Sequence, residues 1–449
     1  MTMPARQLNL NIGINTTGMG GHAWKQRTGS SADITDPAYY LRLAQIAHRG
    51  RFDALFLSDH PALMRDPRQR PLHTLDPLIL LTFLAGQVPD IGLVATISTT
   101  YNSPYNLARR AQSIDVLTGG RLVINLVSSF NPAVAANFGN EPLPPREVRY
   151  GRAIEFVDVA KKLWASWDPA ESGEVPPDHF WDTNAAHEIN HEGRFFSVRG
   201  PLNAPWGPQG HPVLAQAGAS DWGIDFAALH GEIIYANVLS RPAGKAFRER
   251  LDSRARALGR DPAGIRIVPG VVPIVAESRE AALRKHEILS GAGSEDGLLR
   301  RFAAESGLDP AQFDPDAPLD PARFVPDQNR QWAVGMGLGL SELLTHETLT
   351  ARQAVRRLEG FHRLVLGTPE EVAEQLIDLW EDGTVDGYTV QPLAAPDDIS
   401  LFVDKVIPVL QDRGVFRREY AGDTVRERYG LPFPVKNPGG AGEQSRDVA

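Results

Sequence analysis

Residues 91–127 have the sequence IGLVATISTTYNSPYNLARRAQSIDVLTGGRLVINLV, which contains the elements of one complete strand–helix–strand unit. Ile91–Ser98 is rich in Ile, Val and Thr, which favour a β-strand. Ala108–Leu117 has the composition of a helix, and Gly119-Gly120 provides its end. Arg121–Val127 is a second apolar stretch of strand length. The sequence therefore predicts a parallel βαβ unit at this point of the chain.

The same alternation continues in both directions along the chain. Apolar residues alternate with polar ones from Leu8 to Ile14, which predicts the first strand. Asp36-Pro37 and Asp76-Pro77 each combine a helix N-cap with a proline in the first turn. Further strands are predicted at Ala54–Ser58, Pro212–Ala217, Ile233–Tyr235, Ile265–Val275 and Tyr388–Gln391, and further helices at Ile154–Trp167, Asp221–Leu229, Pro242–Leu258 and Asp398–Arg413.

Eight strand–helix alternations are typical of an α/β protein with a parallel sheet, either closed or doubly wound. The length of 449 residues, with few obvious linkers, favours a closed (β/α)₈ TIM barrel. We expect one barrel domain over residues 1–435, with insertions at about residues 168–211 and 289–360. The Gly-rich, polar residues 436–449 are expected to form a disordered tail.

The composition excludes several classes of protein. The chain has no cysteine, so disulfides, thiolate metal sites and a cysteine nucleophile are excluded. Its net charge of −9 argues against a nucleic-acid-binding surface. No apolar run approaches the roughly 18 residues of a membrane span, and the N-terminus lacks the pattern of a secretory signal. We therefore expect a cytoplasmic protein that binds neither nucleic acid nor membrane.

In a barrel of this type the active site lies at the carboxyl ends of the strands. Hydroxyl and amide side chains are frequent at the predicted strand ends, which are Asn15-Thr16-Thr17, Ser58-Asp59-His60, Ser98-Thr99-Thr100-Tyr101-Asn102, Ser128-Ser129 and Gln216. Such side chains suit an uncharged heteroaromatic ligand that is recognised by hydrogen bonds. Asp59 and His60 are the one adjacent acid–imidazole pair at these strand ends, and two ligands are too few for a metal site. No metal is therefore predicted.

Gly218-Ala219-Ser220, directly before a predicted helix, is a candidate anion site. Free backbone N–H groups and the helix dipole would point at a bound anion, and the Ser220 hydroxyl adds a donor. The same serine is equally well explained as the N-cap of the helix. The motif by itself leaves both interpretations open.

Several short segments, in this order along the chain, resemble one enzyme family. They are Val94–Asn102, Leu107–Arg121, Ala136–Gly139, Phe196–Asn203, Gln216–Ser220, Gly367–Ala373 and Arg413–Arg417. Over about residues 8–431 the chain is similar to the nitrilotriacetate/dibenzothiophene-sulfone monooxygenase group. This group belongs to the bacterial-luciferase-like superfamily of FMN-dependent monooxygenases.

The resemblance implies a (β/α)₈ flavoprotein that binds FMN without a covalent bond. A separate NAD(P)H:flavin reductase would supply the flavin as FMNH₂, so the system would have two components. Oxygen would add to the flavin C4a atom, and the hydroperoxide or peroxide would oxidise a small organic substrate. Members of the group cleave C–N or C–S bonds, or oxidise sulfur or carbonyl centres. Relatives are commonly dimers or tetramers, so a homodimer or homotetramer is expected.

The resemblance also implies roles for particular residues at the cofactor. Asp59 and Thr96 would contact the edge of the isoalloxazine ring. Tyr150, and Ser220 with the backbone of Ala219, would bind the ribityl phosphate. Relatives usually have a histidine four residues before this tyrosine, where this chain has Arg146. A guanidinium also pairs well with phosphate, so we assign Arg146 to the same contact.

Other candidates are placed near the ring or the substrate by the same resemblance. His22 and Trp24 match a segment close to the substrate pocket, and His60 lies beside the predicted ring contact. Asn102 and Ser128 are expected as neighbours of the ring. Each has a structural interpretation too: the histidines are more easily explained as structural residues, and Trp24 is equally compatible with the core.

Three alternatives to this function are kept. The superfamily includes barrels that use the deazaflavin F420 for hydride transfer. A metal-dependent sugar isomerase or aldolase would need carboxylates and histidines clustered at the strand ends, and a flavin-binding protein without turnover is also compatible. The sequence does not identify the substrate. Lys25, Arg27 or Arg146 could recognise a carboxylate or sulfonate, and each could equally be a surface or phosphate-binding residue.

Overall fold

The structure is a computed structural model, and parallel strands form its centre. It describes residues 6–63, 75–139, 142–168, 178, 186–218, 220–306, 308, 314–324, 334–360 and 362–434. The strands are β1 Asn9–Gly13, β2 Ala54–Leu57, β3 Gly92–Ser98, β4 Leu122–Val127, β5 His191–Glu192, β6 Ser197–Val198, β7 Val213–Ala217, β8 Ile233–Tyr235, β9 Arg266–Ile267, β10 Gly270–Val275, β11 Leu358–Glu359, β12 His362–Gly367 and β13 Gly387–Val390.

Helices alternate with these strands. They are α1 Ala23–Gln26, α2 Pro37–Arg49, α3 Pro77–Ala85, α4 Pro104–Leu117, α5 Pro132–Asn137, α6 Arg146–Trp164, α7 Asp221–His230, α8 Arg241–Ala257, α9 Arg279–Leu289, α10 Glu295–Ser306, α11 Val334–His346, α12 Ala351–Val355, α13 Pro369–Glu381, α14 Asp397–Leu401, α15 Ile407–Asp412 and α16 Val425–Arg428. Both Asp-Pro starts are confirmed, because Asp36 caps α2 and Asp76 caps α3 through their side chains. None of the helices in the described ranges is long and apolar enough to cross a membrane.

Hydrogen bonds between parallel strands close the sheet into a barrel. The pairs run from β1 through β2, β3, β4, β7 and β8 to β9. Residues 267–269, at the end of β9 and just after it, are hydrogen-bonded to β13 and the residue before it. The Asp386 N–H donates to the Ile267 carbonyl and the Thr389 N–H to the Pro269 carbonyl, both at 2.8 Å. β13 pairs with β1 and completes the circle. The predicted (β/α)₈ barrel is confirmed.

The seventh strand differs from the prediction, which made Ile265–Val275 continuous. It is divided into β9, which pairs with β8, and β10, which pairs with β12 and β13. Pro269 between them has no N–H to donate to a ladder. β12 was not predicted, because its sequence lies between a helical insertion and the start of α13. The predicted insertion 289–360 contains α10, α11 and α12, and the division into domains stays a prediction.

The C-terminal segment closes the amino-terminal end of the barrel. Val425, Tyr429 and Leu431 pack on the apolar side chains that fill the barrel interior. Asp53, just before β2, is fully buried and accepts hydrogen bonds from the Leu10 N–H at 2.6 Å and the Arg417 guanidinium at 2.5 Å. The buried pair fixes the C-terminal segment to the first two strands.

We predict that Arg417→Ala lowers the free energy of unfolding by about 3–5 kcal/mol, because it leaves the buried Asp53 carboxylate without its counter-charge. Urea denaturation measures this. Arg413→Ala is the matched control, since Arg413 pairs with Glu374 while both side chains are more than half exposed. The control should change stability by less than about 1 kcal/mol. Equal losses in both variants would contradict the structural role of the buried pair.

Candidate active site

The carboxyl ends of the strands meet at one rim, where side chains join neighbouring strand ends. Asn15, after β1, accepts hydrogen bonds at Oδ1 from the Ser58 N–H at 2.9 Å and the Ser58 hydroxyl at 3.0 Å. Ser129, after β4, donates to the hydroxyl of Ser98 on β3 at 2.7 Å. These contacts give the polar side chains of the rim fixed positions.

Thr96 lies inside the barrel beside Asn125, its partner in the parallel register of β3 and β4. The Asn125 Nδ2 donates to the Thr96 hydroxyl at 3.0 Å, and both side chains are buried. The Asn125 Oδ1 is buried as well, and no described residue donates to it. A buried acceptor without a donor costs free energy, so this oxygen is suited to a donor on a bound ligand.

A cleft of about 350 Å³ opens beside the end of β2. It is lined by Asp59, His60, Pro61, Ala62, Leu63, Leu75 and Asp76. Burial, followed by the nearby Asp76 carboxylate, raises the pKa of Asp59 from 3.8 to about 6. Asp59 therefore titrates close to neutral pH, where it can hold or release a proton. His60 follows it on the solvent-exposed side of the cleft.

The β7–α7 turn and α6 together form the candidate anion cradle, which we define as Tyr150, Gly218 and Ser220. Ser220 is the N-cap of α7, since its hydroxyl oxygen accepts from the Gly223 N–H at 3.2 Å. A Cβ at Gly218 would lie 3.6 Å from the Tyr150 hydroxyl, which places that hydroxyl beside the turn. The Ser220 hydroxyl proton stays available to a ligand while its oxygen caps the helix. Ala219 lies outside the described residues.

The start of α6 places Arg146 and Tyr150 one turn apart, on the same face of the helix. This helix begins eight residues earlier than the predicted Ile154. Arg146 makes no hydrogen bond or ion pair within the described ranges. Arg149, by contrast, donates to the carbonyls of Ser128 and Ser129, both at 2.9 Å. Arg149 thus holds the backbone directly after β4 in place. Arg146, with no partner in the described ranges, is left to bind an anion.

The two polar groups of the Asn102 side chain are both used within the protein. Its Nδ2 donates to the Ser98 carbonyl at 2.9 Å, and its Oδ1 accepts from Arg110 at 3.0 Å. Asn102 therefore fixes the loop after β3. Its proposed place next to the flavin ring stays a prediction that these contacts do not support.

The candidate residues in the segment after β1 differ in burial and in their hydrogen-bond partners. His22 is exposed, and its ring lies against Gly291 after α9. The Trp24 Nε1 is buried and has no acceptor among the described residues. Arg27 is buried and donates to Asp33 at 3.0 Å and to the Thr28 carbonyl at 3.1 Å. Arg27 is thereby occupied as a structural residue and is a poor candidate for substrate recognition.

Several buried polar atoms near the rim are without partners in the described part of the chain. They are Trp24 Nε1, Thr100 Oγ1, Tyr101 Oη, Asn125 Oδ1 and Gln216 Oε1. Buried polar groups are nearly always hydrogen-bonded, so these unpaired donors and acceptors favour a polar ligand at the rim. The set matches an uncharged ring with a polar edge. Within the described ranges no group of three or more His, Asp or Glu side chains could hold a metal ion.

Sequence reasoning did not select Asn125, although the signal was present. Asn125 is the one polar residue within the apolar strand LVINLV, at an inward-facing position of the two-residue repeat. Gln216 was named as a strand-end residue without a role. Both residues are polar positions in otherwise apolar strands.

Comparisons with known proteins identify the family. The model for the luciferase-like monooxygenase family matches residues 20–387. Nitrilotriacetate monooxygenase component A of Aminobacter aminovorans is 36% identical, over 96% of this chain and 97% of that protein. Dibenzothiophene-sulfone monooxygenase of Rhodococcus erythropolis is 36% identical, over 96% and 98%. The chain belongs to the luciferase-like monooxygenase family, as the sequence motifs indicated.

Solved structures agree with this assignment. The EDTA monooxygenase from Chelativorans sp. BNC1 has a TM-score of 0.81 and 38% identity, covering 95% of this chain and 99% of that one. A riboflavin lyase solved with modified FMN and riboflavin has a TM-score of 0.79 and 28% identity, covering 96% and 98%. The protein is accordingly an enzyme of the monooxygenase class with a luciferase-like TIM barrel.

We predict that the Asp59 carboxyl titrates near pH 6, measured by ¹³C NMR of the side-chain carboxyl group. Asp76→Asn should lower this pKa while leaving it above 3.8, because burial is the larger cause. Asp36→Asn is the matched control, since Asp36 caps α2 as Asp76 caps α3. It should leave the pKa unchanged. A midpoint near 4 in the wild-type protein would show that Asp59 is not held in the buried cleft.

The same pKa shift has a consequence for stability. The raised pKa means that ionisation of Asp59 costs more in the folded protein than in the unfolded chain. The stability it contributes is present below pH 3.8 and is lost as pH rises through about 6. Asp59→Asn should therefore melt at a higher temperature than the wild type at pH 8. The difference should shrink at pH 4.

Proposed function

We propose that the protein is the oxygenase component of a two-component system that uses FMNH₂ and oxygen to oxidise a small organic molecule. The observation that carries the proposal is the meeting of two features at one rim. One is the anion cradle at the β7–α7 turn, and the other is the set of buried polar atoms near the rim that have no partner among the described residues. Together they suit a ring with a polar edge attached to a phosphate.

The ring of the flavin is assigned to Asp59 and Thr96, with Asn125 supplying a further acceptor. The phosphate end is assigned to Tyr150 and Ser220, with the Ala219 backbone. Arg146 is added because its guanidinium, on the face of α6 that carries Tyr150, makes no hydrogen bond or ion pair with a described residue. Reduced flavin, when bound, supplies the electrons with which oxygen is activated, so the chain needs no nucleophile of its own.

The chain's own contribution is to orient the ring and to control protons beside it. Thr96 and Asn125 are held in a mutual hydrogen bond at a fixed position inside the barrel. Asp59, with a pKa of about 6, can exchange a proton at the ring edge near neutral pH. Apolar side chains below these residues exclude water from the barrel interior.

The partners follow from the same proposal. A relative is named as component A of its system, which supports a separate component that reduces the flavin. We propose an NAD(P)H:flavin reductase as that partner and a homodimer or homotetramer as the assembly. The substrates of the relatives, named as nitrilotriacetate, EDTA and dibenzothiophene sulfone, suggest C–N or C–S cleavage as the chemistry to test first.

We predict that Ser220→Ala weakens FMN binding about tenfold or more, because a hydrogen bond to a charged phosphate is worth about 1.5–3 kcal/mol. Riboflavin lacks the phosphate, so its affinity should hardly change. Ser278→Ala is the matched control, since Ser278 caps α9 through a hydrogen bond of the same 3.2 Å length. Fluorescence titration measures both flavins, and thermal unfolding compares the two lost caps.

Two outcomes would count against the proposal. Equal FMN affinity in the Ser220→Ala and Ser278→Ala proteins would show that the phosphate does not bind at the β7–α7 turn. Tighter binding of F420 than of FMN by the wild-type protein would favour deazaflavin-dependent hydride transfer instead.

A further inference from the structure

Three polar side chains from separate parts of the chain, none of them assigned to FMN, meet inside the barrel. Tyr235 ends β8, His362 begins β12, and Gln391 follows β13. The Gln391 Nε2 donates to the Tyr235 hydroxyl at 3.1 Å, and that hydroxyl lies 3.4 Å from the His362 Nε2. We call these three residues the interior triad.

Two glycines make room for the triad. A Cβ at Gly270 would lie 2.4 Å from the Tyr235 hydroxyl and 2.7 Å from the His362 Nδ1. A Cβ at Gly13 would lie 2.2 Å from the Gln391 Oε1. Any larger residue at either position would displace a triad side chain. The two glycines therefore leave the space that the polar side chains occupy.

The triad is electrically neutral near pH 7. Burial lowers the pKa of His362 to about 4, so its imidazole is uncharged. Burial also raises the pKa of Tyr235 above its ordinary value, so its hydroxyl keeps its proton. The charge that acts on His362 is the Glu359 carboxylate, which is itself paired with His286 and Arg301. A buried anion placed here would meet no counter-charge from the triad.

The triad has hydrogen-bonding capacity left over. The His362 Nδ1 is buried and has no partner in the described part of the chain. Where the His362 Nε2 accepts the proton of the Tyr235 hydroxyl, the Nδ1 carries the imidazole hydrogen and is left as a donor. Tyr235 is held in place by its ring, which stacks on Phe56 of β2 at 5.3 Å with an interplanar angle of 8°. The free donor of His362 is therefore held in position through Tyr235.

We propose that the interior triad binds the substrate through an uncharged polar group, such as a carbonyl, sulfoxide or sulfone oxygen, and selects against carboxylates. The inference rests on the proposed function, because it assigns the β2, β3, β4 and β7 part of the rim to FMN. The β8, β10 and β13 part then remains for the substrate. Burying a carboxylate against neutral partners costs far more than burying a neutral oxygen.

The test uses the full chain with oxidised FMN bound and ¹³C-labelled histidine, and it follows the His362 ring signal by NMR. A His362→Gln variant assigns that signal. The probes are sulfolane, a cyclic sulfone, thiolane, which has the same ring without the oxygens, and acetate. Sulfolane should shift the His362 signal in a saturable way, whereas thiolane and acetate should not.

Tyr235→Phe should weaken sulfolane binding about fivefold, because it removes the neutral hydrogen bond, worth about 1 kcal/mol, that orients the His362 imidazole. Tyr388→Phe is the matched control, because Tyr388 is also buried and its hydroxyl donates to the Leu376 carbonyl at 2.9 Å in the outer layer. It should leave sulfolane binding unchanged. FMN affinity, measured in the same samples, should be equal in all three proteins.

Three results would overturn the proposal: no shift with sulfolane, a His362 shift by acetate at equal or lower concentration, or equal effects of the two tyrosine variants. Failure of the proposed function is distinguishable from these. It would appear as a wild-type protein that binds no FMN, while sulfolane still shifts His362 and Tyr235→Phe still weakens that binding.

Discussion

Closure of eight parallel strands is the constraint on which the site depends. Strands that run in one direction around a closed barrel bring all their carboxyl ends to a single rim. Residues as distant in the chain as Asn15, Thr96 and Ser220 therefore belong to one surface. The opposite end is closed by the C-terminal segment, which the buried Arg417–Asp53 pair holds in place.

The fold was largely predictable because its signals are local. Alternating apolar residues, Asp-Pro helix starts and Gly-Gly helix ends each act within a few residues, and together they predicted the barrel. Pro269 was a sequence signal for the split of the seventh strand, because it has no N–H for a ladder. The different partners of β9 and β10 are a tertiary feature that the sequence did not indicate. Strand β12 was missed because its sequence lies between a helical insertion and the start of α13, and its pairing with β10 is a tertiary feature.

The site was only partly predictable. The N-cap role of Ser220 followed from its place before a helix, and the structure confirms it. The occupied side chains of Asn102 and Arg27 could not be anticipated, because their partners are fixed by loop conformation. The interior triad is a purely tertiary feature. Its members are separated by 127 and 29 residues, and no motif joins them.

The two halves of the rim differ in charge, and this difference separates the proposed cofactor site from the proposed substrate site. The cradle around Tyr150 and Ser220, with Arg146 on the same helix face, suits an anion. The interior triad is neutral and suits an uncharged oxygen. One rim can thereby hold a phosphate-bearing cofactor and a neutral substrate without competition between them, and the cleft at Asp59 lies where a proton can be exchanged near neutral pH.

Oxygen chemistry at this rim is measured most directly by stopped-flow spectroscopy. The protein is mixed with reduced FMN under anaerobic conditions and then with oxygenated buffer, while the flavin absorbance is followed. Our account predicts a kinetic phase that free FMN lacks and a slower return to oxidised flavin. A trace identical to that of free FMN, at protein concentrations that saturate binding, would contradict the assignment of this barrel as an FMN-dependent monooxygenase.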